Sequence, residues 1–218
     1  MPGVGKTQLA LKFATLAFQN GQYPHVFWVS AVSVDKLTQD VSKVVDLLRL
    51  PGRHTQNQAS RLTAARAWLE DSTVAKSWLV ILDNVSEETA ITTLRDFLPR
   101  HNYGGRILIT TRTATVAERY TASGGSPQLA LQTPRIDDAI AMLSAGAKLE
   151  REGRKEASCT DLERLVRSVG NLPLAIDQAA SYIRETGSSP QKVLDVYISN
   201  EAPEVSEKDG EQSEVVAD

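Results

Sequence analysis

Short apolar runs alternate with longer amphipathic stretches from the N-terminus to Leu131. Runs with the length and the β-branched or aromatic residues typical of strands lie at 26–30, 78–83 and 106–112, with a weaker one at 129–131. Apolar residues at helical spacing predict helices at about 7–18, 37–48, 58–70 and 91–98. The first of these is apolar almost all round and stops at Asn20-Gly21, which predicts a buried helix. Strands alternating with helices predict an α/β protein with a mostly parallel sheet.

After Leu131 the pattern becomes purely helical. Apolar residues recur at helical spacing in four stretches, at about 137–147, 161–168, 173–185 and 190–199. We therefore expect an α/β domain over residues 1–133 and a small all-helical subdomain over 134–200. Residues 201–218 contain seven acidic residues and one basic residue, without aromatic residues or periodicity, and this segment predicts a disordered acidic tail.

Composition limits the class of protein. Apolar residues make up 41% of the chain and charged residues 23%, which is typical of a soluble globular protein. The sequence has neither a run of 18 apolar residues nor a signal-peptide core, so we expect a cytoplasmic protein without a membrane partner. The single cysteine excludes an internal disulfide framework. A net charge of −3 is too small to predict a nucleic-acid partner.

Candidate chemistry begins at the N-terminus, where a glycine-rich sequence directly precedes the first predicted helix: Gly3-Val4-Gly5-Lys6-Thr7. Glycines let backbone N–H groups approach phosphates, and the positive end of the following helix favours the same anion. Lys6 would reach the β- and γ-phosphates, and the Thr7 hydroxyl would ligate Mg²⁺. The complete motif has a further glycine, which would precede Met1. Taken alone, the five residues also fit an ordinary glycine turn.

Two further residues follow predicted strands. Asp83 ends the apolar run 78–83, where a nucleotide enzyme holds its magnesium, although Asp is also a common turn residue and helix cap. Arg112 ends the run 106–112 and is either a γ-phosphate contact or a surface residue in a turn. Because ligands bind at the carboxyl ends of parallel strands, we expect the glycine-rich loop, Asp83 and Arg112 to converge.

Five segments together resemble the NB-ARC module of the STAND class of P-loop NTPases, which includes plant disease-resistance proteins and fungal and bacterial regulators: 1–10, 26–31, 78–85, 105–112 and 170–176. The resemblance implies a P-loop parallel sheet that here lacks its first strand, followed by the helical subdomain. It also implies an ADP- or ATP-binding switch within a larger regulator or a homo-oligomer.

The same resemblance assigns roles to individual residues. The nucleotide would be held by the loop and the start of the helix, that is by Gly3, Val4, Gly5, Lys6, Thr7 and Gln8. Thr7 and Asp83 would hold Mg²⁺, and Arg112 would sense the γ-phosphate. Pro173 would pack on the adenine; without the resemblance, Leu172-Pro173 predicts only a helix start.

The sequence departs from the family in three places. The first loop glycine and its strand, which lies inside the sheet, are absent, so we expect two unpaired sheet edges and a poorly soluble chain. Asn84 stands where many relatives carry a second acid, and an amide cannot accept a proton, so hydrolysis should be slow. The chain also stops after the first helical subdomain. Two other hypotheses therefore remain: a true catalyst such as a kinase or fast ATPase, and a truncated product that acts only through protein contacts.

Overall fold

The computed structural model describes residues 1–71, 77–101, 104–121, 127–149 and 158–201, and at positions 200 and 201 it describes the backbone only. The chain divides into two compact units, Met1–Gln132 and Thr133–Asp218. The acidic tail predicted over 201–218 lies outside the described residues except for its first residue. No helix in the described ranges is long and apolar enough to cross a bilayer.

The first unit is built from three strands and six helices among the described residues. In chain order they are α1 (Lys6–Gln19), β1 (His25–Ser30), α2 (Val34–Leu47), α3 (Gln58–Glu70), β2 (Trp78–Val85), α4 (Glu87–Thr92), α5 (Leu94–Phe97), β3 (Arg106–Thr111) and α6 (Ala114–Thr121). The strands form a parallel sheet in the order β1-β2-β3. This architecture confirms the predicted α/β fold.

The position of the central strand β2 explains why its sequence is apolar. Its alternate side chains face opposite layers: Leu79 and Ile81 pack with α1, whereas Val80 and Leu82 pack into the core formed with α2 to α6. Because both faces are covered by helices, the strand is a continuous apolar run rather than an alternating one. Only its C-terminal end, at Asp83, carries a charge.

The described sheet has three strands, so its two edges are the outer sides of β1 and β3. β2 pairs with β1 along one side and directly with β3 along the other. The backbone groups of β2 therefore find partners on both sides and do not carry the cost of buried, unpaired N–H and C=O groups. The outer side of β3 has no strand partner among the described residues, so the poor solubility expected from an open edge stays a prediction.

Helix α1 also differs from the expectation of a buried helix. Only its three small residues Ala10, Ala14 and Ala17 are buried against the sheet. Its large apolar side chains are 43–58% exposed: Leu9, Leu11, Phe13, Leu16 and Phe18. The core on this side of the sheet contains residues of α1, the strands and Tyr23, but none of another helix. A helix that lies alone on a sheet buries one stripe only, whatever the composition of its flanks.

Two smaller predictions are also wrong. Residues 129–131 are not a strand but an irregular segment with Leu129 75% exposed, because they have no strand partner among the described residues. The single helix predicted over 91–98 is divided into α4 and α5 at Thr93, whose φ of −106° departs from the helical value.

The second unit is entirely helical in its described part. It contains α7 (Ile136–Ala147), α8 (Cys159–Ser168), α9 (Pro173–Thr186) and α10 (Pro190–Glu201). Helix α9 begins with Pro173 at its first position and ends at Gly187 in the left-handed region, with φ of 69°. Both ends follow the sequence rules for helix boundaries. Buried aliphatic residues such as Leu143, Ile176 and Ile183 form the core of this unit.

Candidate functional site

The glycine-rich loop ends where α1 begins. Gly3 and Gly5 have φ of 76° and 96°, in the region that side chains disfavour. Gly5 is the N-cap of α1 and supplies no side chain to its N–H groups. The space beside it is open, because a Cβ added to Gly5 would meet no atom within 4 Å. An uncapped, accessible helix N-terminus of this kind is suited to bind phosphate or another anion.

The backbone at Gly5 gives the first testable prediction. Since the surrounding space is empty, Gly5→Ala would be costly through its left-handed φ rather than through a clash. We expect a loss of about 1–2 kcal/mol in the free energy of unfolding, measured by urea denaturation. Gly5→Asn is the matched control and should lose less, because Asn tolerates the left-handed region better. Equal losses in both variants would contradict the role of backbone conformation.

Lys6 and Thr7 occupy the first turn of α1 and point to different partners. The Lys6 ammonium donates a hydrogen bond to the Met1 carbonyl oxygen at 2.7 Å, so it lies over the loop. An ammonium has three protons and keeps two for other acceptors. The Thr7 hydroxyl donates to Asp83 Oδ1 at 2.9 Å. This bond joins the start of α1 to the end of β2 across 76 residues of sequence.

The Thr7 and Asp83 pair has the donor set for Mg²⁺. Because the Thr7 hydroxyl gives its proton to Asp83, its lone pairs stay available to a cation. Mg²⁺ prefers oxygen ligands and is usually held by one or two carboxylates together with substrate phosphates. The described residues contain no cluster of three or more His, Cys, Asp or Glu side chains able to hold a metal. These two residues therefore fit a Mg²⁺ ion that arrives with a phosphate group.

Arg112 directly follows β3 and is exposed. Its guanidinium has no recorded hydrogen bond or ion pair within the described residues. Arg112 and Lys6 line the same cavity of about 790 Å³, whose other walls come from α1, β3, α6 and residues 127–131. This volume lies in the range of small-molecule sites, about 300–1,000 Å³. The structure thus brings two cations to one cavity, and Thr7 and Asp83 to one hydrogen bond.

For the other predicted site residues, the structure gives only their position and exposure. Val4 is buried beneath the loop and Gln8 is exposed on α1. Pro173 belongs to the second unit, where it starts α9. Its contact with adenine stays a prediction.

The sequence analysis missed Asp40, which ties α2 to the end of β1. Its carboxylate accepts hydrogen bonds from the Ser30 N–H at 3.1 Å, from Lys43 at 2.8 Å and from Lys36 at 3.3 Å. Burial alone would raise the pKa of Asp40, but these three donors outweigh it and hold the pKa below its ordinary value. Ser30 is the register partner of Asp83, so Asp40 is bound at the same carboxyl end of the strands. In the sequence, an acid flanked by lysines on a helix resembles an ordinary surface ion pair, so the contact of Asp40 with β1 could not be predicted.

The lowered pKa of Asp40 predicts a pH dependence of stability. The charged form is favoured in the folded state, so its stabilisation is present above the unfolded pKa of about 3.9 and is lost as pH falls through the folded value. At pH 7 we expect Asp40→Asn to lower the free energy of unfolding by about 1 kcal/mol. The difference should shrink as pH falls below the unfolded pKa and through the folded one, as followed by urea denaturation from pH 7 downward. A difference that is constant with pH would contradict this role.

Comparisons with known proteins agree on one family. The profile of the NB-ARC domain matches residues 1–151. A nucleotide-binding leucine-rich repeat (NLR)-like protein of Hyaloscypha variabilis is 29% identical over 211 residues, which are 91% of this chain and 20% of that protein. Disease resistance proteins Pik-2 and Pikm2-TS of Oryza sativa subsp. japonica are each 30% identical over 125 residues, 53% of this chain and 12% of theirs.

The chain therefore spans a fifth or less of the length of these relatives. The profile, by contrast, covers well over half of the chain, and it includes the glycine-rich loop, Asp83 and Arg112. The resemblance inferred from the five sequence segments is confirmed: this chain belongs to the NB-ARC domain family.

Proposed function

We propose that the chain is an adenine-nucleotide switch module of a larger STAND- or NLR-type signalling or immune regulator. It would bind ADP or ATP with Mg²⁺ and hydrolyse ATP slowly or not at all. The observation that carries the proposal is the hydrogen bond between Thr7 and Asp83, which unites the loop, the helix N-terminus and the acidic strand end. Together these three features supply the backbone donors and the oxygen ligands that a nucleotide with Mg²⁺ requires.

Each charged residue has a distinct part in this proposal. Lys6 would neutralise the β- and γ-phosphates, since its ammonium lies over the loop. The uncapped N–H groups of α1 would donate to the same phosphates. Arg112 would contact the γ-phosphate, because its guanidinium is exposed on the cavity that Lys6 also lines. Thr7 and Asp83 would hold Mg²⁺, which when bound would neutralise part of the phosphate charge.

Slow hydrolysis is inferred from Asn84. Asn84 directly follows Asp83 at the carboxyl end of β2 and has a left-handed φ of 57°. A general base must accept a proton from the attacking water, and an amide has no basic site for this. The module would therefore keep its nucleotide and respond to which nucleotide is bound, as a switch requires.

The remaining parts of the proposal concern the second unit and the partners. We propose that 1–133 is the nucleotide-binding domain and 134–200 a helical subdomain that contributes Pro173 to the adenine. Other domains of a larger regulator, or further copies of the chain, would be its partners in the cytoplasm. The relatives support this context, because one is named NLR-like and two are named disease resistance proteins.

Direct binding of fluorescently labelled ADP to the full chain tests the proposal. We expect saturable binding that unlabelled ADP and ATP displace and that unlabelled GDP displaces poorly. An absence of saturable binding with and without Mg²⁺ would overturn the nucleotide function and favour a product that acts only through protein contacts. Rapid ATP turnover would instead favour a true catalyst.

A further inference from the structure

Strands β2 and β3 do not pair evenly along their length. Leu82 is paired with Ile109 and Val85 with Thr111, so two residues of β2, Asp83 and Asn84, stand opposite one residue of β3. This is a β-bulge, in which the extra residue loses its place in the hydrogen-bond ladder. Asn84 adopts the left-handed region there, with φ of 57°. The bulge falls at the residue that the proposed function assigns to Mg²⁺.

The residue opposite the bulge is Thr110, which is only 7% exposed. Its hydroxyl accepts a hydrogen bond from the Asn84 N–H at 2.8 Å and donates one to Asp83 Oδ1 at 2.7 Å. The direction of both bonds is fixed by chemistry, because an amide N–H only donates and a carboxylate only accepts. One hydroxyl therefore replaces the lost ladder partner and orients the neighbouring carboxylate.

The Asp83 carboxylate is consequently held by two hydroxyl groups at one oxygen. Thr7 and Thr110 both donate to Oδ1, at 2.9 and 2.7 Å. Oδ2 has no recorded partner among the described residues. Two donors from different elements restrict the rotation of the carboxylate and leave its second oxygen for a further ligand. Thr110 is buried and held by two hydrogen bonds. Thr7 is exposed, and a lone pair of its hydroxyl oxygen would face the metal.

We propose that Thr110 is a positioning residue that orients Asp83 for the nucleotide-bound Mg²⁺. The proposal rests on the proposed function. Residues that orient a metal ligand from behind typically change metal affinity about 10- to 100-fold when they are removed. Thr110 would act on the magnesium dependence of nucleotide binding, and not on nucleotide binding itself.

The test compares Thr110→Val with the wild-type chain. Valine has nearly the same shape but can neither accept from Asn84 nor donate to Asp83. The Mg²⁺ concentration that gives half of the magnesium-dependent gain in labelled-ADP affinity should rise about 10- to 100-fold. The ADP affinity in excess EDTA should stay within about twofold of the wild-type value. Thr110→Ser keeps the hydroxyl and should restore the wild-type magnesium requirement.

Thr111→Val is the matched control on the same strand. The Thr111 hydroxyl donates to the Val85 carbonyl oxygen at 2.9 Å and does not contact Asp83. A similar rise of the Mg²⁺ requirement in both valine variants would indicate a general effect on β3 and would overturn the proposal. If Thr110→Val does not fold, Thr110→Ala removes the same hydroxyl with a smaller side chain and is measured in its place.

The outcomes separate this inference from the function on which it rests. A wild-type chain that binds no ADP under either condition overturns both. A wild-type chain that binds ADP, with an unchanged magnesium requirement in Thr110→Val, overturns only the role of Thr110. If the wild-type chain binds ADP with the same affinity with and without Mg²⁺, the role of Thr110 is overturned as well, while the proposal of nucleotide binding stands.

Discussion

Lys6→Ala should weaken ADP binding by about 1.5–3 kcal/mol, which corresponds to roughly a 10- to 150-fold rise in Kd. The substitution removes the ammonium that lies over the loop, with its bond to the Met1 carbonyl and its two remaining protons. A hydrogen bond to a charged group contributes more than a neutral one, since both the charge and the donor are lost. The Kd of labelled ADP for the two chains provides the measurement.

Lys12→Ala is the matched control for this change. Lys12 is an exposed lysine on the same helix, and the net charge falls equally in both variants. Its ADP affinity should remain near the wild-type value at physiological salt, where exposed charges at a distance are screened. If the two variants lose affinity equally, the effect is one of overall charge, and the assignment of Lys6 to the phosphates fails.

Asn84→Asp should increase the rate of ATP hydrolysis, with an upper limit set by general-base catalysis of about 10²- to 10⁴-fold. The carboxylate would supply the proton acceptor that the amide lacks. The backbone should tolerate the change, because Asp shares with Asn a tolerance of the left-handed φ found here. ADP affinity should be nearly unchanged, since residue 84 donates to the Thr110 hydroxyl through its backbone N–H and not through its side chain.

The measurement is the release of phosphate under single-turnover conditions. Asn84→Gly serves as the control, because glycine also accepts the left-handed backbone but provides no acceptor, and its rate should stay at the wild-type level. A lower rate in Asn84→Asp would contradict the missing-base interpretation and would make Asn84 a structural residue of the bulge.

The parts of the fold that could be predicted are those encoded by local patterns. The run 78–82 is apolar without interruption because β2 is covered on both faces, and Leu172-Pro173 marks a helix start by the fixed φ of proline. The glycine-rich loop could be recognised because its function requires particular residues at adjacent positions. Each of these features depends on a few neighbouring residues.

What could not be predicted depends on packing between distant segments. The composition of α1 indicated burial, yet exposure is decided by how many elements lie on that face of the sheet. Thr110 was visible in the sequence as part of a strand end, but its role follows from a one-residue shift in register relative to β2. No local pattern encodes such a shift, since it depends on the pairing of two strands that are far apart in the chain.

The bond between Thr7 and Asp83 has a consequence for folding. It closes a loop of 76 residues, so no small local segment of the chain can assemble both halves of this pair. Contacts of such long range form late, after the entropy of closing the loop has been overcome. A ligand that needs both residues would bind only to chains in which α1 has docked on the sheet. Nucleotide binding and cooperative folding of the first unit are therefore linked equilibria, and at a ligand concentration of 100 times Kd this linkage is worth about 2.7 kcal/mol.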